Sequence, residues 1–308
     1  MQHFYGLQDV SLKDAWLSIG SFDGVHIGHQ QIIQRITAGA HSQGAPAVVL
    51  TFYPHPNMVL HGARQSFYLT DPEEKAELLG EYGIDAVITH PFNHQIANIE
   101  ARQFIENLFK HISFTQLWVG YDFALGHDRQ GDRSLLWEVG QVLGFGVSVI
   151  EAYRVDGEIV SSSRIRALLD AGKVEQAAHL LSRPHRVSGL VVKGEGRGRQ
   201  MGFPTVNLAI NKERVVAGAG VYACLVDLDG QKLQAVVNVG VRPTFEYSPV
   251  APRVEAHIFD FERDIYGKEI SLFFLSRLRD EQRFPSVEAL VKQIRKDIQQ
   301  ARSVFKRQ

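Results

Sequence analysis

The feature that most constrains the fold is a change of hydrophobic pattern at Arg183-Pro184. Before it, short apolar, β-rich runs at 15–19, 47–52, 86–89, 117–119 and 147–150 alternate with helix-period stretches around 73–82, 101–109 and 133–143. Asp71-Pro72-Glu73-Glu74 is a helix start, with a capping carboxylate, proline at the first turn and early acids. Apolar strands separated by helices predict a doubly wound parallel sheet, buried on both faces. After Pro184, strand follows strand at 187–192, 221–226, 233–239, 254–259 and 270–275, with Asp229-Gly230 as a hairpin turn between two of them. This half predicts a small antiparallel barrel. An amphipathic helix from Pro285 to about Arg302, with Val287, Leu290, Ile294 and Ile298 on one face, ends the chain. The expected fold class is α/β, with a parallel-sheet domain over 1–183 and a β-barrel domain with a C-terminal helix over 184–308. A chain of 308 residues suits two domains of ~150 each.

Composition narrows the function classes. The net charge of −1 and a pI of about 6.9 argue against a polyanion-binding protein, so no nucleic-acid partner is expected. No run approaches the ~20 apolar residues of a membrane span, and Met1-Gln2-His3-Phe4 has neither the basic nor the apolar region of a signal peptide. The single cysteine, Cys224, lies in an apolar run and reads as core; the absence of a disulfide framework fits a reducing cytoplasm. Oligomeric state is not encoded in any pattern here.

Chemistry-bearing residues recur where strands end. Gly20-Ser21-Phe22-Asp23-Gly24-Val25-His26-Ile27-Gly28-His29 follows the strand at 15–19 and opens a helix through Ile32, Ile33 and Ile36. Glycines at a strand-to-helix turn let backbone N–H groups approach a phosphate, and the helix N-terminus adds positive potential. Two imidazoles beside it can donate to charge building on a reacting phosphate. A bare H-x-G-H also fits two surface histidines on a loop. Pro54-His55-Pro56 ends the next strand and holds His55 near the top of the sheet, or is simply a rigid turn. The segment from Gly120 through Asp122 and Arg129 to Gly131 suits a phosphate-facing loop and equally a plain surface loop. Ser161-Ser162-Ser163-Arg164 caps a helix and offers hydroxyls, free N–H groups and a guanidinium to an anion.

In the second half, the run from Gly194 through Arg199 to Gly202-Phe203-Pro204 is neither a Walker loop, since no Gly-Lys-Ser/Thr follows, nor a dinucleotide fingerprint, since no helix is expected to open after it. A basic flap over phosphates fits it better. Thr205 and Asn207, two apart on a strand, offer a hydroxyl and an amide oxygen suited to Mg²⁺. Glu255 shares a strand face with His257, opposite Val254, Ala256 and Ile258. A carboxylate there can take a proton from an attacking hydroxyl, although an exposed strand glutamate reads the same way.

Together these motifs resemble the bacterial bifunctional riboflavin kinase/FAD synthetase family over almost the whole chain. The Gly20 to His29 motif, Pro54-His55-Pro56, the Asp122 loop and the serine cluster follow the order of its FMN adenylyltransferase module. Gly202-Phe203-Pro204-Thr205-Val206-Asn207, Gly220-Val221-Tyr222, Arg242-Pro243-Thr244-Phe245, Val254-Glu255 and Leu278-Arg279 resemble its flavokinase module. The resemblance implies two reactions: riboflavin and ATP give FMN and ADP, then FMN and ATP give FAD and pyrophosphate. It implies Glu255 as base on the ribityl hydroxyl, Thr205 and Asn207 on Mg²⁺–ATP, the 194–202 flap over phosphates and Arg279 near the flavin. It also implies His26 and His29 at the adenylyl-transfer step, with Gly20, Ser21, Phe22, Asp23, His55, Asp122 and Arg129 around the nucleotide. Ser162, Ser163 and Arg164 would hold pyrophosphate. The chain departs from the family pattern at Ser21, where asparagine is common, and at Ala124, where arginine is common. Those departures motivate one alternative, a riboflavin kinase with a weakened adenylyltransferase half. A non-catalytic flavin-binding regulatory protein is another; it predicts loss of Glu255, Thr205, Asn207 or the His26–His29 pair, and all are present.

Overall fold

The computed structural model describes residues 1–62, 66–121, 123, 126, 131–194, 196–240 and 252–307. The chain divides into two compact units, Met1–Arg64 with Thr70–Ser161, and Gln65–Leu69 with Ser162–Gln308.

The first unit runs β1 (Gln2–Phe4), β2 (Trp16–Ile19), α1 (Ile27–Ser42), β3 (Ala47–Tyr53), α2 (Pro56–His61), α3 (Pro72–Glu81), β4 (Ala86–Pro91), α4 (His94–Ala97), α5 (Ala101–Ile112), β5 (Gln116–Gly120), α6 (Arg133–Leu143) and β6 (Gly146–Ile150), then a hairpin of β7 (Arg154–Val155) and β8 (Glu158–Ile159). The sheet order is β1-β4-β3-β2-β5-β6, all parallel. Alternation along the strands sorts side chains to two cores. Leu17, Ile19, Leu50 and Ile88 pack with Phe104, Leu108 and Leu136 of α5 and α6. Val49 and Val87 pack with Ile33 and Ile36 of α1 and Leu79 of α3. Each fully buried Leu or Ile contributes about 2 kcal/mol. This is the doubly wound arrangement expected. Asp71 caps α3 through a bond from the Glu74 N–H at 3.2 Å, as its sequence predicts.

The second unit begins with α7 (Ser162–Asp170) and α8 (Val174–Leu181). It continues through β9 (His185–Val192), the single turn α9 (Arg197–Gln200), β10 (Val206–Ala209), β11 (Gly220–Leu228), β12 (Gln231–Gly240), β13 (Arg253–Ile258) and β14 (Glu269–Arg279) to α10 (Val287–Phe305). The strands close a barrel in the order β10-β13-β12-β11-β14-β9, with every pairing antiparallel. Asp229 and Gly230 take positive φ of 54° and 82°, the geometry of a two-residue hairpin turn. Cys224 is buried in the barrel, and burial pushes its thiol well up. Among the described residues no helix is long and apolar enough to cross a membrane.

One expectation needs correction: Thr205 precedes β10 rather than lying on it. No helix opens after the glycine-rich run, which leads into β10; the single turn α9 lies within it, entered by Gly196 at φ 71°.

Candidate active sites

In the first unit the chemistry gathers where β2 ends. β2 pairs with β3 on one side and β5 on the other, so the sheet order reverses there, and such points bind ligands beyond the strand ends. His26 is the N-cap of α1, and its Nδ1 accepts the His29 N–H at 3.3 Å. A neutral imidazole accepting through Nδ1 carries its proton on Nε2, which makes that nitrogen a donor. His26 is buried and stacks on His29, with centroids 3.6 Å apart and planes 15° from parallel. Phe22 supports His29 from 5.1 Å. Gly28 leaves room for the stack: a Cβ there would lie 3.2 Å from the His26 ring, which would have to shift by a few tenths of an ångström. The positive end of α1 begins at this pair.

Three layers hold the loop before His26. Phe22 and Val25 adopt φ of 46° and 39°, a costly region for side chains of that shape. The buried Asp23 carboxylate accepts from Thr70, from its N–H at 3.2 Å and its hydroxyl at 3.4 Å, and the Thr70 Oγ1 accepts the Gly24 N–H at 3.1 Å. Beneath them the Ser21 carbonyl accepts the Thr51 hydroxyl and the Lys75 ammonium, each at 2.9 Å. Gly20 donates to the Leu50 carbonyl at 3.1 Å, tying the loop to β3. Burial pushes the Lys75 ammonium down to about 8, against the pull of Asp23 and Asp71.

His55 stands at the same end of β3. It caps α2, its Nδ1 accepting the Asn57 N–H at 3.1 Å, just after the cis Tyr53–Pro54 bond. Asp122 and Arg129 lie outside the described residues. Ser162, Ser163 and Arg164 open α7 in the second unit, where the Ser163 hydroxyl accepts Arg166 at 3.1 Å and Arg166 stacks over Phe67 at 4.6 Å.

On the barrel, register brings Asn207 directly opposite Glu255, and Glu255 opposite Asn238. Glu255 and His257 share the less buried face of β13, while Val254, Ala256 and Ile258 face the core. Arg253 joins the pair: its Nε donates to Asn207 Oδ1 at 3.3 Å and its guanidinium salt-bridges Glu255. Thr205 and Pro204 line a cavity of about 340 Å³ together with Arg199, Glu262, Arg263 and Tyr266. Two glycines of the flap pack close to these residues. A Cβ on Gly194 would fall 2.0 Å from the Asn207 amide nitrogen, and one on Gly198 2.4 Å from the Phe203 carbonyl and 3.1 Å from Thr205 Oγ1. His257 holds the Pro204 carbonyl at 2.8 Å and meets Phe203 edge to face at 5.7 Å. Gly202 turns the chain there at φ 82°. The Thr205 and Asn207 donors are neutral oxygens, which suits Mg²⁺ held largely by phosphates and water.

The FAD synthetase family model matches residues 8–164, and the riboflavin kinase family model matches residues 181–305. The bifunctional riboflavin kinase/FMN adenylyltransferase of Pseudomonas fluorescens is 38% identical over 288 residues, covering 93% of this chain and 92% of its own length. The chain belongs to the bifunctional riboflavin kinase/FMN adenylyltransferase family. Its Escherichia coli K12 relative of the same name is 35% identical, covering 98% of this chain and 96% of its own. A crystal structure described as a macrolide-efflux protein from Streptococcus pneumoniae superposes with a TM-score of 0.87 at 29% identity, over 97% of this chain and 98% of that one.

Arg279 is tied to the C-terminal helix. Its guanidinium grips the buried Asp297 of α10, with Nε 3.0 and 3.1 Å from the carboxylate oxygens and a second nitrogen 2.9 Å away. Gln293 adds a bond to Asp297 at 2.8 Å. Sequence reasoning missed Thr51, Thr70, Lys75 and Arg253. Lys75 had a readable signal: it shares the i, i+3, i+4 stripe with Leu78 and Leu79, where a charge has no reason to be unless it is used.

Proposed function

We propose that two sites on this chain perform consecutive steps of flavin cofactor synthesis, with an adenylyltransferase domain over 1–183 and a riboflavin kinase domain over 184–308. The chain phosphorylates riboflavin to FMN and adenylylates FMN to FAD. The observation that carries the residue assignment is that each half places its motif in one small cluster: the stacked His26–His29 pair at a sheet switch point, and Asn207 facing Glu255 across the barrel ladder.

In the kinase step Glu255 takes the proton of the ribityl 5′-hydroxyl as its oxygen attacks the γ-phosphorus of ATP. ADP leaves from the other side. Arg253 holds the Glu255 carboxylate in place. Thr205 and Asn207 would hold Mg²⁺, which supplies neutralisation of phosphate charge. The segment 194–202, with Arg199 exposed on it and Gly202, Phe203 and Pro204 at its end, covers the phosphates. Arg279 lies toward the flavin and fixes that side of the barrel through Asp297.

In the adenylyl step the FMN phosphate is already an anion, so no base is required. Its oxygen bonds to the α-phosphorus of ATP, the α–β bridging bond breaks, and pyrophosphate leaves. His26 donates from Nε2, and His29 stacks against it, to charge building on the α-phosphate. Gly20, Ser21, Phe22 and Asp23 form the turn that receives the triphosphate, and His55 stands at the neighbouring strand end. Asp122 and Arg129 are assigned to the nucleotide by the family motif alone. Ser162, Ser163 and Arg164 offer an anion site at the start of α7 for pyrophosphate. With one buried cysteine and no pattern for a membrane or nucleic-acid partner, the protein acts in the cytoplasm on small molecules.

Purified protein with riboflavin, ATP and Mg²⁺ should yield FMN and then FAD on chromatographic separation of the flavins. FMN without FAD would overturn the second activity. His29→Ala should stop FAD formation and spare FMN formation. Glu255→Ala should do the reverse when FMN is supplied. Equal effects of both variants on both steps would overturn the two-site assignment.

A further inference from the structure

Lys75 is a cation with no role in the mechanism above, yet it lies buried under the nucleotide turn. It is 3% exposed, and its ammonium reaches the Ser21 carbonyl at 2.9 Å and the Thr51 hydroxyl at 3.1 Å. Thr51 in turn donates to the same carbonyl at 2.9 Å. Two donors, one of them a full charge, therefore fix one peptide oxygen. In a planar trans peptide the carbonyl and the following N–H point in opposite directions. Holding the Ser21 oxygen toward α3 and β3 aims the Phe22 N–H away from them. The orientation is not the relaxed one, since it places Phe22 at φ 46°. Turning this peptide over would carry Phe22 into an ordinary negative φ and would point a carbonyl where a phosphate must come. A peptide that can flip between a donor face and an acceptor face is a two-state element, and Lys75 biases it.

We propose that Lys75 is a positioning residue for adenylyl transfer: with Thr51 it pins the Ser21–Phe22 peptide in the strained orientation that presents the Phe22 N–H to the triphosphate. The loop around it is built to the same end. Asp23, held by Thr70, faces the ammonium from the loop, and Asp71 faces it from the cap of α3; both favour its charge. His3 on β1 feels that charge, and Glu73 opposes it there. Burial works against these carboxylates and brings the ammonium to about 8, so the pin weakens in mild alkali.

The inference rests on adenylyl transfer at the His26–His29 loop, and the experiment separates the two. Lys75→Met fills the same space without charge, Thr51 still satisfies the Ser21 carbonyl, and Thr70 still donates twice to the Asp23 carboxylate. Trp16, Trp118 and Trp137 all lie in the first unit, so the tryptophan fluorescence of the same preparation reports on its folding, and FMN formation reports on the second unit. The expected result is a fall of about 100-fold in kcat for FAD formation with KM for FMN little changed, the size of losing one positioned donor. Wild-type kcat/KM should fall as pH rises through about 8, and that limb should vanish in Lys75→Met. FAD formation within threefold of wild type, or an unchanged alkaline limb in the variant, would overturn the proposal. His29→Ala is run beside it. If His29→Ala abolishes FAD formation while Lys75→Met does not, the pin alone is wrong. If neither matters, the site assignment is wrong.

Discussion

At the scale of single residues, the first unit keeps a buried ammonium that burial pushes toward its neutral form. The native Lys75 ammonium titrates at about 8, against 10.5 when unconstrained. Between those values the unfolded chain holds the proton and the folded chain does not, so this group makes stability rise with pH across that window. Below pH 8 the penalty is complete and amounts to about 3 kcal/mol for a shift of this size. Urea unfolding should therefore find wild-type stability rising between pH 8 and 10.5, and that rise absent in Lys75→Met. A rise of the same size in the variant would refute the assignment. From sequence alone Lys75 passes for part of a solvated helix face; only its phase with Leu78 and Leu79 separates it. The strand-to-helix turn carrying His26 and His29 was legible from its glycines and from the apolar phase of Ile33 and Ile36 in the helix that follows. The bonds from Thr70 to Asp23 and Gly24 were not legible, since they join positions 46 and 47 residues apart through a loop with no periodic pattern.

At the scale of elements, long periodic segments were readable and short ones were not. α5, with Phe104, Ile105, Leu108 and Ile112 buried on one stripe, declares itself. β1 has three residues and the β7–β8 strands two each, too few for any period to register. α10 shows a different limit. Its amphipathic pattern was clear, but the pattern does not show that Asp297 on its inner face is 2% exposed and clasped by Arg279. Asp297→Ala leaves that partly buried guanidinium without its carboxylate, which costs about 3 kcal/mol or more. The thermal midpoint of the variant should drop, and FMN formation should fall with it, while Asp297→Asn, which keeps the shape and part of the hydrogen bonding, should drop less. A midpoint unchanged in Asp297→Ala would mean that the pair contributes nothing to docking α10.

At the scale of the whole molecule, the barrel unit is larger than its strands. α8 buries Val174, Ala177, Leu180 and Leu181, and its Glu175 accepts the Ser276 hydroxyl at 2.6 Å and the Arg277 N–H at 3.1 Å on β14. Arg277 also donates to the Ala171 carbonyl at 3.3 Å. A fragment beginning at Ser162 should therefore melt well above one beginning at Pro184. Losing several kcal/mol of such packing corresponds to roughly 10 °C or more for a domain of this size. Equal midpoints would show that the two helices add nothing to the barrel.

The parallel sheet has a consequence in time. Ser18 on β2 donates its hydroxyl to the Trp118 carbonyl on β5, 100 residues later, and these neighbouring strands define the switch point. Contacts of such sequence separation form slowly, because the loop they close must first be ordered. As the chain is synthesised, the strand carrying the histidine motif must wait for β5 before its nucleotide cleft has a second wall. The proposed adenylyl-transfer site is thus among the last features of its unit to assemble.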